Sequence, residues 1–165
     1  MWYNVIRKRE EHKTKQEDKE MKKAIYFDMD GTIADLYGVN GWLEMLIAES
    51  VNPYVIAKPM LEMVKFSKAL NLLHKKGYHI GIISWTSKGG TAEYNERVAA
   101  AKKFWLTENV YSRFDEIKIV PYGTPKEKAV DFPAGILFDD EEKNRIGWTG
   151  KAYTPAEFME ILEAL

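Results

Sequence analysis

Four short apolar runs constrain this chain more than any other feature. They are Ala24-Ile25-Tyr26-Phe27, Ile80-Gly81-Ile82-Ile83, Ile117-Lys118-Ile119-Val120 and Gly135-Ile136-Leu137-Phe138. Each is short and holds β-branched or aromatic residues, as buried strands do. Segments of helical period lie between them. Met63, Phe66, Leu70 and Leu73 share one face, and so do Tyr94, Val98, Ala101 and Trp105. Strands alternating with helices predict an α/β chain with a parallel sheet covered on both sides.

Two helix starts are marked by a cap residue, Pro and Glu: Thr124-Pro125-Lys126-Glu127 and Thr154-Pro155-Ala156-Glu157. The second opens a terminal helix that buries Phe158, Ile161, Leu162 and Leu165. Residues 37–59 fit neither strand nor long helix. Within them Trp42-Leu43-Glu44-Met45-Leu46-Ile47 is one short amphipathic piece, expected to be a small helical cap. The run from Arg7 to Lys23 is almost wholly polar and reads as a solvated arm, so the expected organisation is an arm over 1–22 and one domain over 23–165. Met21 is a second candidate start of the compact part.

Composition removes several function classes. The 165 residues carry 24 Lys and Arg against 25 Asp and Glu, a net charge of −1 that indicates neither nucleic acid nor membrane as partner. In the arm, Glu10, Glu11, Glu17, Asp18 and Glu20 dilute the basic charge. There is no Cys, which excludes disulfides, thiolate metal sites and Cys nucleophiles and fits a cytoplasmic location. No apolar run is long enough to span a bilayer, and no signal peptide is expected. His12, His74 and His79 show no ligand spacing; His74 is expected to face solvent, and His79 to start a strand. The oligomeric state is left open.

Ligands of open parallel sheets bind at the carboxyl ends of the strands. After the first run stands Asp28-Met29-Asp30-Gly31-Thr32, and after the second Ser84-Trp85-Thr86-Ser87. After the third, across a short loop, comes Lys126, and after the fourth Asp139-Asp140. Clustered carboxylates repel one another and need a cation, and oxygen-only ligands select a hard ion such as Mg²⁺. An ammonium and a hydroxyl beside them suit the remaining oxygens of a phosphate. Lys126 at a helix start opposes the helix dipole, a conflict that an anionic partner removes.

These residues resemble the haloacid dehalogenase superfamily. Asp28-Met29-Asp30-Gly31-Thr32 is similar to its first motif, and Ser84, Lys126 and Asp139-Asp140 follow as its second, third and fourth in order. The resemblance runs from about Lys23 to the C-terminus. It implies a Rossmann-like fold with a small cap after the first strand, and Mg²⁺-dependent phosphomonoester hydrolysis through an aspartyl-phosphate. By the same resemblance Asp28 is the nucleophile and Asp30 the general acid and base. Mg²⁺ would be held by Asp28, the Asp30 carbonyl and Asp139 or Asp140, and phosphate by Ser84, Trp85 and Lys126. Thr86 and Ser87 are nearby alternatives to Ser84. An acid at position 30 favours ester hydrolysis, since true dehalogenases lack one and ion-pumping ATPases carry Thr.

A looser resemblance, to the 5′(3′)-deoxyribonucleotidase branch, rests on residues 28–35, Lys102-Lys103-Phe104-Trp105-Leu106 and Asp139-Asp140 with Asn144. Thr32 departs from it, standing where that branch often has Val. It implies a small phosphorylated substrate of the nucleoside monophosphate class. Tyr37, Trp42 and Thr86 are the expected substrate contacts; Tyr37, Trp42 and Trp85 could each stack on a base or equally be packing. Two alternatives stay open: a phosphatase for nucleic-acid ends, with a basic groove leading from Lys88 or the arm, and an inactive phosphate-binding or scaffolding module.

Overall fold

Ala24, Ile25, Tyr26 and Phe27 are all buried, so β1 (Ala24–Phe27) is the central strand of its sheet. The computed structural model describes residues 2–21 and 23–165, with the backbone course alone for 16–21. The expected boundary at residue 22 lies outside the described residues. Before β1 runs α1 (Trp2–Met21), with residues 2–15 exposed. After it come β2 (Ala34–Asp35), α2 (Trp42–Ile47), α3 (Asn52–Ile56) and β3 (Lys58–Pro59). Then α4 (Met63–Lys75), β4 (His79–Trp85), α5 (Ala92–Asn109) and β5 (Glu116–Val120) alternate. The chain ends with α6 (Lys126–Ala129), β6 (Ile136–Phe138), α7 (Glu142–Gly147), β7 (Ala152–Tyr153) and α8 (Phe158–Ala164).

Five strands form one parallel sheet in the order β5-β4-β1-β6-β7; β2 and β3 pair antiparallel elsewhere. Helices cover both faces, the Rossmann-like arrangement. Alternation along β1 decides which residues face which layer. Ile25 and Phe27 pack with Phe66 and Leu70 of α4, Trp105 of α5 and Phe158 of α8. Ala24 and Tyr26 face the other way, onto Val130, Leu137 and Trp148. The first turns of α5 leave the sheet: Tyr94, Val98 and Ala101 pack with Leu36 and Tyr54, and with Trp42 and Leu46 of α2. One helix therefore belongs to both the sheet core and the α2–α3 layer. Among the described residues no helix is long and apolar enough to cross a membrane.

Several sequence expectations need correction. The second strand starts at His79, as expected, but runs beyond its apolar run to take in Ser84 and Trp85. Position 124 does not cap α6: the Thr124 hydroxyl donates to Pro121 O at 2.7 Å, and Pro125 takes the cap position. Thr154 and Glu157 do form a capping box, but it opens a 3₁₀ turn, Pro155–Glu157, that leads into α8. His74 does not face solvent freely; its Nε2 lies 3.0 Å from Asp115 Oδ2.

Candidate active site

Register places the first two acids. Phe27 pairs with Phe138, so the next residues, Asp28 and Asp139, leave adjacent strands side by side. The Asp28 amide donates to Phe138 O at 2.9 Å, which extends the ladder by one bond. Beyond Asp28 the chain closes a tight loop. The amides of Thr32, Ile33 and Ala34 all donate to Met29 O, at 3.0, 2.9 and 2.9 Å. Gly31 makes the turn at φ +73°, and a Cβ there would lie 2.4 Å from Asp140 Oδ2. Both conditions call for glycine.

Lys126 is buried between two of these acids. Its Nζ lies 2.9 Å from Asp28 Oδ1 and 2.6 Å from Asp139 Oδ2. Burial alone would lower the ammonium pKa, but the charges of Asp28 and Asp139 outweigh it and raise the value. Asp139 is fully engaged: its Oδ1 accepts from the Glu141 amide at 2.9 Å, and Asn144 Nδ2 reaches both oxygens at 3.3 and 3.2 Å. Arg145 Nη1 holds the loop by donating to Asp139 O and Asp140 O at 2.9 and 2.8 Å.

Asp28, Asp139 and Asp140 each offer one oxygen within 4.8 Å of the others. One ammonium cannot neutralise three carboxylates at this range. Burial first, then the charge of Asp28, pushes Asp139 up to about 6; burial, Asp28 and Asp139 push Asp140 up to about 7. An oxygen-only set with surplus negative charge fits a hard divalent cation. Asp28 has one oxygen beyond the Lys126 contact and Asp140 has Oδ2 turned to the loop at Gly31, while Asp139 is spent on holding Lys126.

Asp30 stands across the loop, its side chain 19% exposed. Its Oδ2 accepts from Lys102 Nζ at 2.6 Å. Burial raises its pKa, Lys102 opposes that, and Asp28 adds to it. Lys102 also reaches Ser84 Oγ at 2.9 Å and Trp85 O at 2.6 Å. Trp85 donates its indole N–H to Thr124 O at 2.8 Å, and Lys126 Nζ sits 5.1 Å from its ring centre.

A cavity of about 440 Å³ opens over these groups. Asp28, Asp30, Ser84, Trp85, Thr86 and Lys126 line it together with Tyr37, Trp42, Leu46, Ile47 and Tyr54, and Tyr37 stands against the Gly31 turn, where a Cβ would lie 2.8 Å from its ring. Asp139 and Asp140 stand beside Asp28 and are not in the lining. Two aromatic pairs stand in the lining: Tyr37 with Trp42 at 5.1 Å, and Trp85 with Tyr122 at 4.8 Å. The α2–α3 wall is tied to α5. Glu49, at φ 55°, accepts from the Thr91 amide and hydroxyl at 2.8 and 3.1 Å. Tyr94 donates to Ser50 O and Trp105 to Ala57 O, at 2.8 and 2.7 Å.

Sequence reasoning assigned no role to Lys102, Asn144 or Arg145. The spacing carried a signal for Lys102: it lies four residues after Val98 and three before Trp105, on the buried stripe of its helix. No protein-family model and no curated protein matches the chain.

Proposed function

We propose that this protein is a Mg²⁺-dependent phosphomonoester hydrolase of the haloacid dehalogenase type, working through an aspartyl-phosphate on Asp28. The observation that carries the reading is Asp28 itself. It is a carboxylate in the lining of a cavity, with one oxygen braced on a buried ammonium and the other unspent among the described residues. That arrangement suits an anionic nucleophile that must approach an anionic ester.

The unspent Asp28 oxygen attacks phosphorus, and the bond from phosphorus to the ester oxygen breaks. Asp30 gives its proton to the departing alkoxide. Asp30 then takes a proton from water, whose oxygen attacks phosphorus. The bond to Asp28 breaks, and inorganic phosphate leaves. Lys126 and Ser84 hold non-bridging oxygens while charge shifts among them. Mg²⁺ would be held by Asp140 and by the second lone pair of the Asp28 oxygen that faces Lys126, which leaves the other Asp28 oxygen to attack, and it would neutralise charge between nucleophile and phosphate.

The substrate class we infer is a nucleoside monophosphate. Tyr37, Trp42, Trp85 and Tyr122 offer aromatic rings in the lining, and the cavity suits one small molecule. Among the described residues Lys88 is the one exposed cation in the lining, which also holds Glu49 and Glu141. A polynucleotide backbone would want a longer basic track.

The test is kcat/KM, with Mg²⁺, over deoxynucleoside monophosphates, sugar phosphates and 3′-phosphorylated oligonucleotides. A phosphoryl adduct on the Asp28 peptide is sought alongside by mass spectrometry. Preference for mononucleotides supports the reading. Preference for oligonucleotides makes it an end-processing enzyme, and no turnover of any ester leaves a binding module.

A further inference from the structure

An ammonium has three hydrogens to donate. Lys102 has three acceptors in reach: Asp30 Oδ2, Ser84 Oγ and Trp85 O, at 2.6, 2.9 and 2.6 Å. Its side chain is 1% exposed, on the buried stripe of α5. All of its donor capacity is spent on the protein, so it offers nothing to a ligand. What it does is fix the state of two groups that do face the cavity. Because Ser84 Oγ accepts from Lys102, the hydroxyl hydrogen is left to point elsewhere, and Ser84 meets a ligand as a donor. Because Asp30 Oδ2 is taken, Oδ1 is the oxygen left to the cavity.

Stability gives no reason for an ion pair here. Apolar residues at both 102 and 30 would carry no desolvation penalty, and buried ion pairs gain little over such paired replacements, although a change at Lys102 alone would leave the Asp30 carboxylate without its ion partner. Nor does the contact to Trp85 O call for a lysine, since that strand end is already held by the amide of Thr86 on Val120 O at 2.8 Å. The contacts that only a cation of this reach supplies are those to Asp30 and Ser84, which come from different strand ends.

We propose that Lys102 is a positioning residue that locks the Asp30 carboxyl and the Ser84 hydroxyl in one fixed relation, so that proton donor and phosphate anchor act on the same ester. The proposal rests on the phosphatase reading above and adds a residue to it. Lys102 never touches substrate; it acts through Asp30 and Ser84.

The test is a double-mutant cycle of Lys102→Met and Asp30→Asn, read as kcat and KM on an alkyl phosphate and on p-nitrophenyl phosphate. Inorganic phosphate affinity is measured by calorimetry with Mg²⁺ present. Misplacing a reacting group by about 1 Å can cost about a hundredfold, so Lys102→Met should lose about that in kcat on the alkyl ester. The loss should be roughly tenfold smaller on p-nitrophenyl phosphate, whose leaving group needs little protonation. In the Asp30→Asn background the same change should cost less than about threefold on the alkyl ester, because the group it positions is gone. Phosphate should bind about fivefold more weakly through the released Ser84, the equivalent of one ordinary hydrogen bond.

Losses that multiply across the cycle, or that are equal for both leaving groups, overturn the proposal in favour of a packing role. If Lys102→Met does not fold, Lys102→Arg serves, since its planar fork cannot meet the same three acceptors, and the same non-additivity is expected. If the wild type turns over no ester, the phosphatase reading falls separately. The Lys102 proposal is then decided by phosphate affinity, and an unchanged affinity in the variant overturns it.

Discussion

Thr32 and Asp140 hold each other: the Thr32 hydroxyl donates to Asp140 Oδ1 at 3.3 Å and accepts from the Asp140 amide at 3.2 Å. The bond ties the loop after β1 to the end of β6 and sets the direction of the Asp140 carboxylate. Thr32→Val keeps the shape and removes both contacts. Groups that orient a metal ligand are typically worth ten- to a hundredfold in affinity. We expect Mg²⁺ binding to weaken about tenfold, measured by calorimetry at pH 7.5. Unchanged affinity would show that Thr32 does not orient a ligand to the ion.

Asp28→Asn should reduce turnover by about three orders of magnitude or more, because an amide cannot attack phosphorus. The fold should survive, since the change removes one charge from a crowded acidic cluster and leaves Lys126 paired with Asp139. A thermal midpoint equal to or above that of the wild type, together with lost activity, is the expected pair of results. Steady-state activity near wild type would rule out the covalent route.

The acidic cluster also sets a pH dependence for the metal-free protein. Asp139 and Asp140 rise in the fold to about 6 and about 7, from about 4 in an unfolded chain. The folded state therefore holds the extra protons. Stability from this source is fully present below about pH 4 and is lost as pH rises through 6 and 7. With chelator, the thermal midpoint should be lower at pH 8 than at pH 5.5 on this account. Added Mg²⁺ should raise it more at pH 8, where the carboxylates are free to bind. An equal Mg²⁺ effect at both pH values would contradict this.

The two aromatic pairs should differ in what they discriminate. Trp42 opens α2 and pairs with Tyr37 rather than with Lys126, so Trp42→Ala should reduce kcat/KM for nucleotides about tenfold and leave sugar phosphates nearly unchanged. That is the scale of one base–aromatic stack, about 1–3 kcal/mol. Trp85 covers Lys126 and anchors to Thr124, so Trp85→Ala should slow every ester. Equal effects of Trp42→Ala on both substrate classes would remove the stacking account.

Much of the sheet was legible because β1, β4, β5 and β6 each carry a short apolar run. The edge strand β7 was not, since Ala152–Tyr153 pairs over only two residues and has no run to announce it. Lys126 was readable as a cation in the wrong place on a helix, and the structure sets Asp28 and Asp139 against it. Lys102 entered only as part of the segment Lys102-Lys103-Phe104-Trp105-Leu106 in the looser resemblance, with no role of its own. Its partner Asp30 lies 72 positions earlier, and no local pattern joins them. The misplaced cap at Thr124 goes with a local bond: its hydroxyl donates back to Pro121 O, within the turn before the helix, and Pro125 takes the cap position. The path of residues 37–59 was open for a similar reason, because α2 and α3 are too short to show a period and owe their position to α5.

Gly31 has no functional group, yet a saturation scan should rank it with the acids. A methyl at this position meets Asp140 Oδ2 at 2.4 Å, and the backbone at φ +73° already resists a side chain. Gly31→Ala would therefore displace a carboxylate it never bonds to. The expected signature is a folded protein with weakened Mg²⁺ binding and poor turnover, much like a lesion in Asp140 itself. At this position the heritable requirement is for an empty volume, and the chain can meet it with only one of the twenty residues.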